Sequence, residues 1–408
     1  MEVYDNCTQD VQATPVDPVS PELFDFAAFE AHEAELLPRC KHFIESDRGV
    51  AVYRRIRSGD VFLDGCRDRK ESLALQLGAL QKSMSFQADI PNFLEPWYGI
   101  GVAASAFGAE YIWNEGQAPA TKPLFQDVKQ ALSFPAVPIR TTNIGRYILE
   151  TIDYFMEKTG GKLPISLTDV QSPLNVACGL VGIDNLLLQS IDDPDSVEEL
   201  LQKIALLAKE FIGEQLNHLD SNLVFPGHGF ASSRCFKGLG MSDDNALMLS
   251  PALYEQIAIP AMRAMAKTLS GPVFHSCGNW EHLAPTIAGI PDLNMVDGAF
   301  GGYTDPAPNT PEEISKVFNH TGIIVNARIV GDADVVLRYV KRLWNDDLKL
   351  IVVTYCDTPE QQQYAYRQIQ NLSQPQTLPP TITLAEFKTE SFPTRAVQEK
   401  KSKRGINQ

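Results

Sequence analysis

Apolar positions change their spacing near residue 86. Upstream, the spacing is helical. Ser20 and Pro21 read as an N-cap and first helical residue. Helical stretches follow over 24–44 and 48–57, and residues 67–84 place Leu73, Leu77 and Leu80 on one helix face. Downstream, short apolar runs alternate with longer helical patterns. The runs predict strands at 86–90, 163–168, 222–225, 272–274, 294–296, 323–326 and 349–354. The helical patterns lie at 200–219, 251–270, 281–288, 311–318, 332–345 and 359–371. Ser250-Pro251 and Thr310-Pro311 are ordinary helix starts, a capping hydroxyl followed by proline.

Repeated strand–helix units imply parallel strands joined by right-handed crossovers. Seven such strands, with one more expected, favour an α/β fold of (β/α)8 barrel type behind an N-terminal helical extension. An open doubly wound sheet is the alternative, but no Gly-x-Gly-x-x-Gly follows an early strand. The expected division is an extension over 1–85, a barrel over 86–371, and a linker with a basic tail over 372–408. Lys400, Lys401, Lys403 and Arg404 in that tail fit a solvated end better than a nucleic-acid arm.

Composition narrows the setting. The chain has 408 residues, 44% hydrophobic and 21% charged, the balance of a globular enzyme. A net charge of −16 argues against nucleic acid or an anionic membrane as partner. No apolar run is long enough to span a bilayer, and the N-terminus lacks the marks of a signal peptide. Seven scattered cysteines do not form a disulfide framework, so the cytoplasm is the expected compartment. The sequons at Asn6, Asn319 and Asn371 are then chance matches.

In a parallel barrel, function gathers where strands end and loops begin. Those positions hold Asp169, His228, His275 with Cys277, Asp297, Asn326 and Cys356. His275 and Cys277 are two residues apart at a strand end, so imidazole and thiolate can point to one side. Cys356 ends a second apolar strand. Imidazole and two thiolates suit zinc, and three protein ligands leave a position open for chemistry. His228, Asp169 and Asn326 are the catalytic candidates, and Asp89, Asn279 and Asp297 the substrate contacts. Plainer readings stand beside these. His228 could be a structural imidazole, Asp243-Asp244 a capping turn, and Cys235 either a packing residue or a reactive thiol. Cys40, Cys66 and Cys178 read as small core residues.

Three stretches resemble the uroporphyrinogen decarboxylase superfamily of (β/α)8 barrels. They are 168–175 with 186–194, Gly240-Met241-Ser242-Asp243-Asp244 with 249–260, and Phe274-His275-Ser276-Cys277-Gly278-Asn279. Within the superfamily, His-x-Cys with a distant Cys is similar to the zinc-dependent, corrinoid-linked methyltransferases of methylcobalamin:coenzyme M type. The resemblance implies His275, Cys277 and Cys356 as zinc ligands. Metal-free decarboxylases instead carry a Met-Arg-Gln-Ala-Gly-Arg motif that holds substrate propionates, of which Tyr53-Arg54-Arg55-Ile56-Arg57 is a loose echo. Asp89 stands roughly where those decarboxylases keep a catalytic Asp.

A thiol of pKa ~8.5 is mostly protonated at neutral pH, whereas a metal-bound thiol is not, so zinc suits methyl transfer. The expected function is therefore zinc-dependent transfer of a methyl group between a corrinoid and a thiol or other small donor or acceptor. No corrinoid-binding Asp-x-His-x-x-Gly occurs, so a separate corrinoid protein is the expected partner. The alternatives are decarboxylation of a tetrapyrrole or other acid, with Asp89 and arginines such as Arg140 or Arg328, and a non-catalytic zinc-stabilised binding barrel. The N-terminal extension could cap the pocket, support a homodimer or recognise the corrinoid partner.

Overall fold

A computed structural model describes residues 11–372. Six parallel strands form one sheet: β1 (Gly49–Arg54), β2 (Leu239–Ser242), β3 (Pro272–His275), β4 (Met295–Ala299), β5 (Ile324–Ile329) and β6 (Lys349–Thr354). Their order is β1-β6-β5-β4-β3-β2. Extended segments without regular ladders close the gap between β1 and β2. Asp89 N donates to Val52 O at 2.8 Å, and Leu94 and Ile165 form a parallel bridge. Ile165 bridges Leu223 in turn, and Gln171 bridges Ser242 of β2. Gly240 N donates to Pro226 O at 3.0 Å, which joins residues 222–226 to β2. These segments and the six strands close a ring, and the fold is a (β/α)8 barrel.

The staves are buried on both faces, as parallel strands covered by helices must be. Alternation divides their side chains. Ala51, Tyr53, Val273, Met295, Ile324, Ile351, Val353 and Tyr355 pack together inside the barrel. Val50, Val52, Phe274, Val296, Val325, Leu350 and Val352 pack outward in the main core shared with the helices. The inward parity continues through the strand ends to Arg55, His275, Asp297, Asn326 and Arg328.

Two N-terminal expectations need correction. Residues 48–57 are not helical, since Gly49–Arg54 is strand β1, paired to β6 from Gly49–Lys349 to Arg54–Thr354. A short apolar run buried on both faces carries no period that separates helix from strand. The barrel thus takes its first stave from within 1–85, so residue 85 does not divide extension from barrel. Ser20-Pro21 forms a turn, with Leu23 N and Phe24 N both donating to Ser20 O. The helix itself is Phe26–Glu45, capped by Asp25, whose side chain accepts from Ala28 N at 3.0 Å. Residues 373–408 of the expected linker and tail lie outside the described residues. Among the described residues, no single helix is long and apolar enough to cross a membrane.

Candidate metal centre

β3 ends at His275, and the chain then turns sharply at Gly278, whose φ is +72°. A side chain there would be strained, and its Cβ would stand 3.0 Å from Leu247 Cδ1. Just before this turn, Cys277 Sγ lies 3.6 Å from His275 Nε2. Asp244, just after β2, completes the group. Its Oδ1 lies 3.7 Å from His275 Nε2 and accepts from Cys277 N at 2.8 Å. Among the described residues, Asp244, His275 and Cys277 can hold a metal ion, with donor atoms within 4.8 Å of one another.

The donor set fits zinc. Zinc–nitrogen, –oxygen and –sulfur bonds of about 2.0–2.3 Å in a tetrahedron put neighbouring ligand atoms roughly 3.3–3.8 Å apart. The 3.6 and 3.7 Å separations fall in that range. The ring's other nitrogen is fixed as metal-binding histidines require, with Nδ1 at 2.6 Å from Asp297 Oδ2. Asp297 also accepts from Arg328 Nε at 2.8 Å and from Asn326 Nδ2. Burial opposes its ionisation, but Arg328 and His275 win and hold the carboxyl down to about 2. Burial likewise opposes charge on His275, yet Asp297 and Cys277 push it up to about 10. The acidic surroundings that favour imidazolium would equally favour a divalent cation at Nε2.

Supporting contacts set Asp244 in place. The neighbouring Asp243 accepts from Ser172 Oγ at 2.6 Å and Tyr254 Oη at 2.8 Å. Burial pushes Asp243 up to about 6 despite these bonds. Asp244 is held below the ordinary carboxylate range; burial works against this, but His275 and the Cys277 amide outweigh it.

Cys356 does not join the group. It follows the outward parity of Leu350 and Val352 and packs with them in the helix-side core. Burial pushes its thiol up to about 11. One step along a strand reverses the face a residue presents, and the inward position here belongs to Tyr355. Asp244, read from the sequence only as a capping carboxylate, takes the third place.

A cavity of about 170 Å³ adjoins His275, lined also by Gln12, Arg55, Arg57, His228, Gly229, Ser242 and Arg328. His228 and Asp169 are together there, with His228 Nε2 3.6 Å from Asp169 Oδ2. Glu95, which no sequence pattern marked, lies 2.6 Å from His228 Nδ1. Arg55 and Arg328 are buried, and the NH2 group of each has no hydrogen-bond partner.

Other expected site residues are placed elsewhere or engaged otherwise. Asn326 steadies Asp297 and accepts from Ala231 N at 3.3 Å, so it positions rather than reacts. Asn279 is exposed and bonds Glu281 through both side-chain atoms, Nδ2 donating to Glu281 Oε1 and Oδ1 accepting from Glu281 N, each at 3.0 Å. Asp89 accepts from Val52 N, Tyr366 Oη and Gln370 Nε2 at 2.9, 2.6 and 2.7 Å, tying β1 to the helix Pro359–Leu372. Arg140 is a surface residue 3.5 Å from Glu214.

Residues 46–225 match the uroporphyrinogen decarboxylase (URO-D) family model. The URO-D match spans β1, Arg55, Glu95 and Asp169 and stops before Asp244, His275 and Cys277. The barrel is also similar to a solved methyltransferase from Methanosarcina mazei, at 16% identity and a TM-score of 0.59. That likeness covers 83% of this chain and 98% of the other, and it shows the fold. No curated protein matches the chain.

Proposed function

We propose that this URO-D-like barrel is a zinc-dependent methyltransferase. It would move a methyl group between a corrinoid, free methylcobalamin or one carried by a partner protein, and a thiol or other small donor or acceptor. The observation that carries the reading is the convergence of Asp244 Oδ1, His275 Nε2 and Cys277 Sγ, with His275 Nδ1 anchored on Asp297. These three residues would hold the ion. When bound, it would supply Lewis acidity, lowering the pKa of a thiol or activating a methyl donor. With a thiol acceptor, the new bond is sulfur–carbon. The methyl–cobalt bond breaks, and its electron pair stays on cobalt.

The chain's own residues supply positioning. Asp297 keeps the imidazole oriented, and Arg328 and Asn326 keep Asp297 ionised and fixed. The NH2 group of Arg328, buried without a hydrogen bond, suits an acidic group on the small substrate, with Arg55 beside it although its NH2 also lies 3.7 Å from Glu95 Oε1. This feature also favours the second reading, decarboxylation of an acid. The cavity volume weighs against a tetrapyrrole as that acid. About 170 Å³ is below the roughly 300–1,000 Å³ of pockets that enclose drug-sized ligands.

The test is zinc analysis of the purified chain with a methylcobalamin demethylation assay across a panel of thiols. Zinc near one equivalent and thiol-dependent demethylation, lost in Cys277→Ala, are expected. Equal absorbance changes in wild type and Cys277→Ala would remove the cluster from the reaction. Absence of zinc with release of carbon dioxide from a small acid would favour the second reading.

A further inference from the structure

We propose that Glu95 and His228 form the proton-handling dyad of the cavity, with His228 Nε2 as general base and Glu95 as the residue that sets its tautomer. The inference rests on the methyl-transfer reading for its substrate but on separate geometry for its residues. His228 Nδ1 lies 2.6 Å from Glu95 Oε2. Glu95 is ionised: burial opposes this, but His228, Arg55 and Arg57 outweigh it. A carboxylate can only accept, so Nδ1 carries the hydrogen, and the neutral ring has its lone pair on Nε2. Nε2 is 3.6 Å from Asp169 Oδ2, too far for a hydrogen bond. Both Asp169 oxygens already accept from Gln171 Nε2 at 3.0 Å. His228 therefore keeps a base on the cavity that His275 also lines.

The surroundings hold this arrangement rigid. The Glu95 backbone is gripped by Gln76, whose Nε2 donates to Glu95 O at 2.9 Å and whose Oε1 accepts from Glu95 N at 2.6 Å. The His228 loop turns at Gly227 and Gly229, with φ of +110° and +80°. Ser232 Oγ accepts from Gly227 N at 3.0 Å, and the Phe62 ring stands 5.5 Å from the imidazole. A histidine held only for packing would not need a buried carboxylate at hydrogen-bond distance from one nitrogen and a second nitrogen left without a hydrogen bond.

The step balances simply. An acceptor's S–H bond breaks, its electron pair stays on sulfur, and the proton goes to Nε2. The imidazolium is then stabilised through Nδ1–H by Glu95, and the proton passes to solvent. The groups facing the dyad are Glu95 and Asp169 directly, Arg55 and Arg57 beyond Glu95, and His275 and Arg328 across the cavity.

Two measurements on the full, zinc-loaded chain decide the matter. The first is the tautomer of His228 from 15N shifts, with His228→Gln supplying the assignment. The second is the pH profile of methylcobalamin:thiol transfer in wild type, Glu95→Gln and His228→Gln. The expected result is an Nδ1–H tautomer in wild type. His228→Gln should lose about 10²-fold or more in kcat with zinc retained. Glu95→Gln should lower kcat and move the acid limb to lower pH, because removing the anion disfavours imidazolium. An Nε2–H tautomer in wild type, or a Glu95→Gln profile equal to wild type, would overturn the dyad. A chain without methyl transfer would sink the reaction class instead, and the tautomer would then decide the dyad alone.

Discussion

His275 Nδ1 lies 2.6 Å from Asp297 Oδ2, across the β3–β4 pair in which these two residues are direct partners. The register alone sets them side by side, and Arg328 on β5 pins the carboxylate from its other side at 2.8 Å. Asp297 thus fixes which imidazole nitrogen faces Asp244 and Cys277. Asp297→Asn keeps the shape but removes the charge. Zinc affinity should fall about 10- to 100-fold, the usual cost of losing such a partner. Competition with a calibrated chelator measures this, and an unchanged affinity would mean that Asp297 does not support a metal ligand.

Cys356 and Asp244 make opposite predictions about the ligand set. Cys277→Ala and Asp244→Ala should each reduce bound zinc well below one equivalent. Cys356→Ala should keep the metal and lose only packing, in the usual 0.5–3 kcal/mol range for core changes. Zinc analysis after dialysis, paired with urea unfolding, separates the two effects. Loss of zinc in Cys356→Ala would restore the ligand set read from the sequence.

That contrast also shows what a sequence can reveal. The barrel was legible because apolar runs and helical patterns alternate from residue 86 onward, and His275 and Cys277 because both lie at one strand end. The Cys356 side chain was not legible: proximity to a strand end says nothing about face, and parity is fixed only by the interior packing of Ile351, Val353 and Tyr355. Strand β1 was hidden because Val50-Ala51-Val52-Tyr53 is buried on both faces. The helix Asn143–Thr159 was passed over although it is amphipathic and capped by Thr142. Glu95 lies in no motif, and the stretches that hold Arg55 and Asp244 do not mark either residue for a role. Their significance comes from what the closed ring sets beside them, and only the Arg54-Arg55-Ile56-Arg57 cluster offered a signal that could have found one of them.

Arg55 and Arg328 predict a preference for acidic small substrates. Each lines the cavity and has a buried NH2 group without a hydrogen bond, that of Arg55 lying 3.7 Å from Glu95 Oε1. A hydrogen bond to a charged group contributes about 1.5–3 kcal/mol, so Arg55→Gln or Arg328→Gln should raise KM for an acidic thiol by about 10- to 100-fold. A neutral thiol of equal length should be affected much less. Equal effects on both thiols would indicate a general disturbance. Arg328→Gln should also weaken zinc binding, through Asp297, whereas Arg55→Gln should not.

Asp89 predicts a pH dependence of stability far from the metal. Burial raises its pKa above the ordinary 3.8, against the opposing bonds from Tyr366 and Val52 and the nearby Arg39. The native state then holds this proton more tightly than the unfolded chain. Its contribution is fully present below pH 3.8 and is lost as pH rises through the folded pKa. Asp89→Asn cannot ionise, so it should lack that loss while carrying a nearly constant cost from its altered hydrogen bonds. Stability of the variant minus that of wild type should therefore rise with pH from about 4 upward and then level off. Urea midpoints of both proteins across this range give the difference directly. A difference that falls with pH would mean that Tyr366, Gln370 and Arg39 outweigh burial and depress the Asp89 pKa instead.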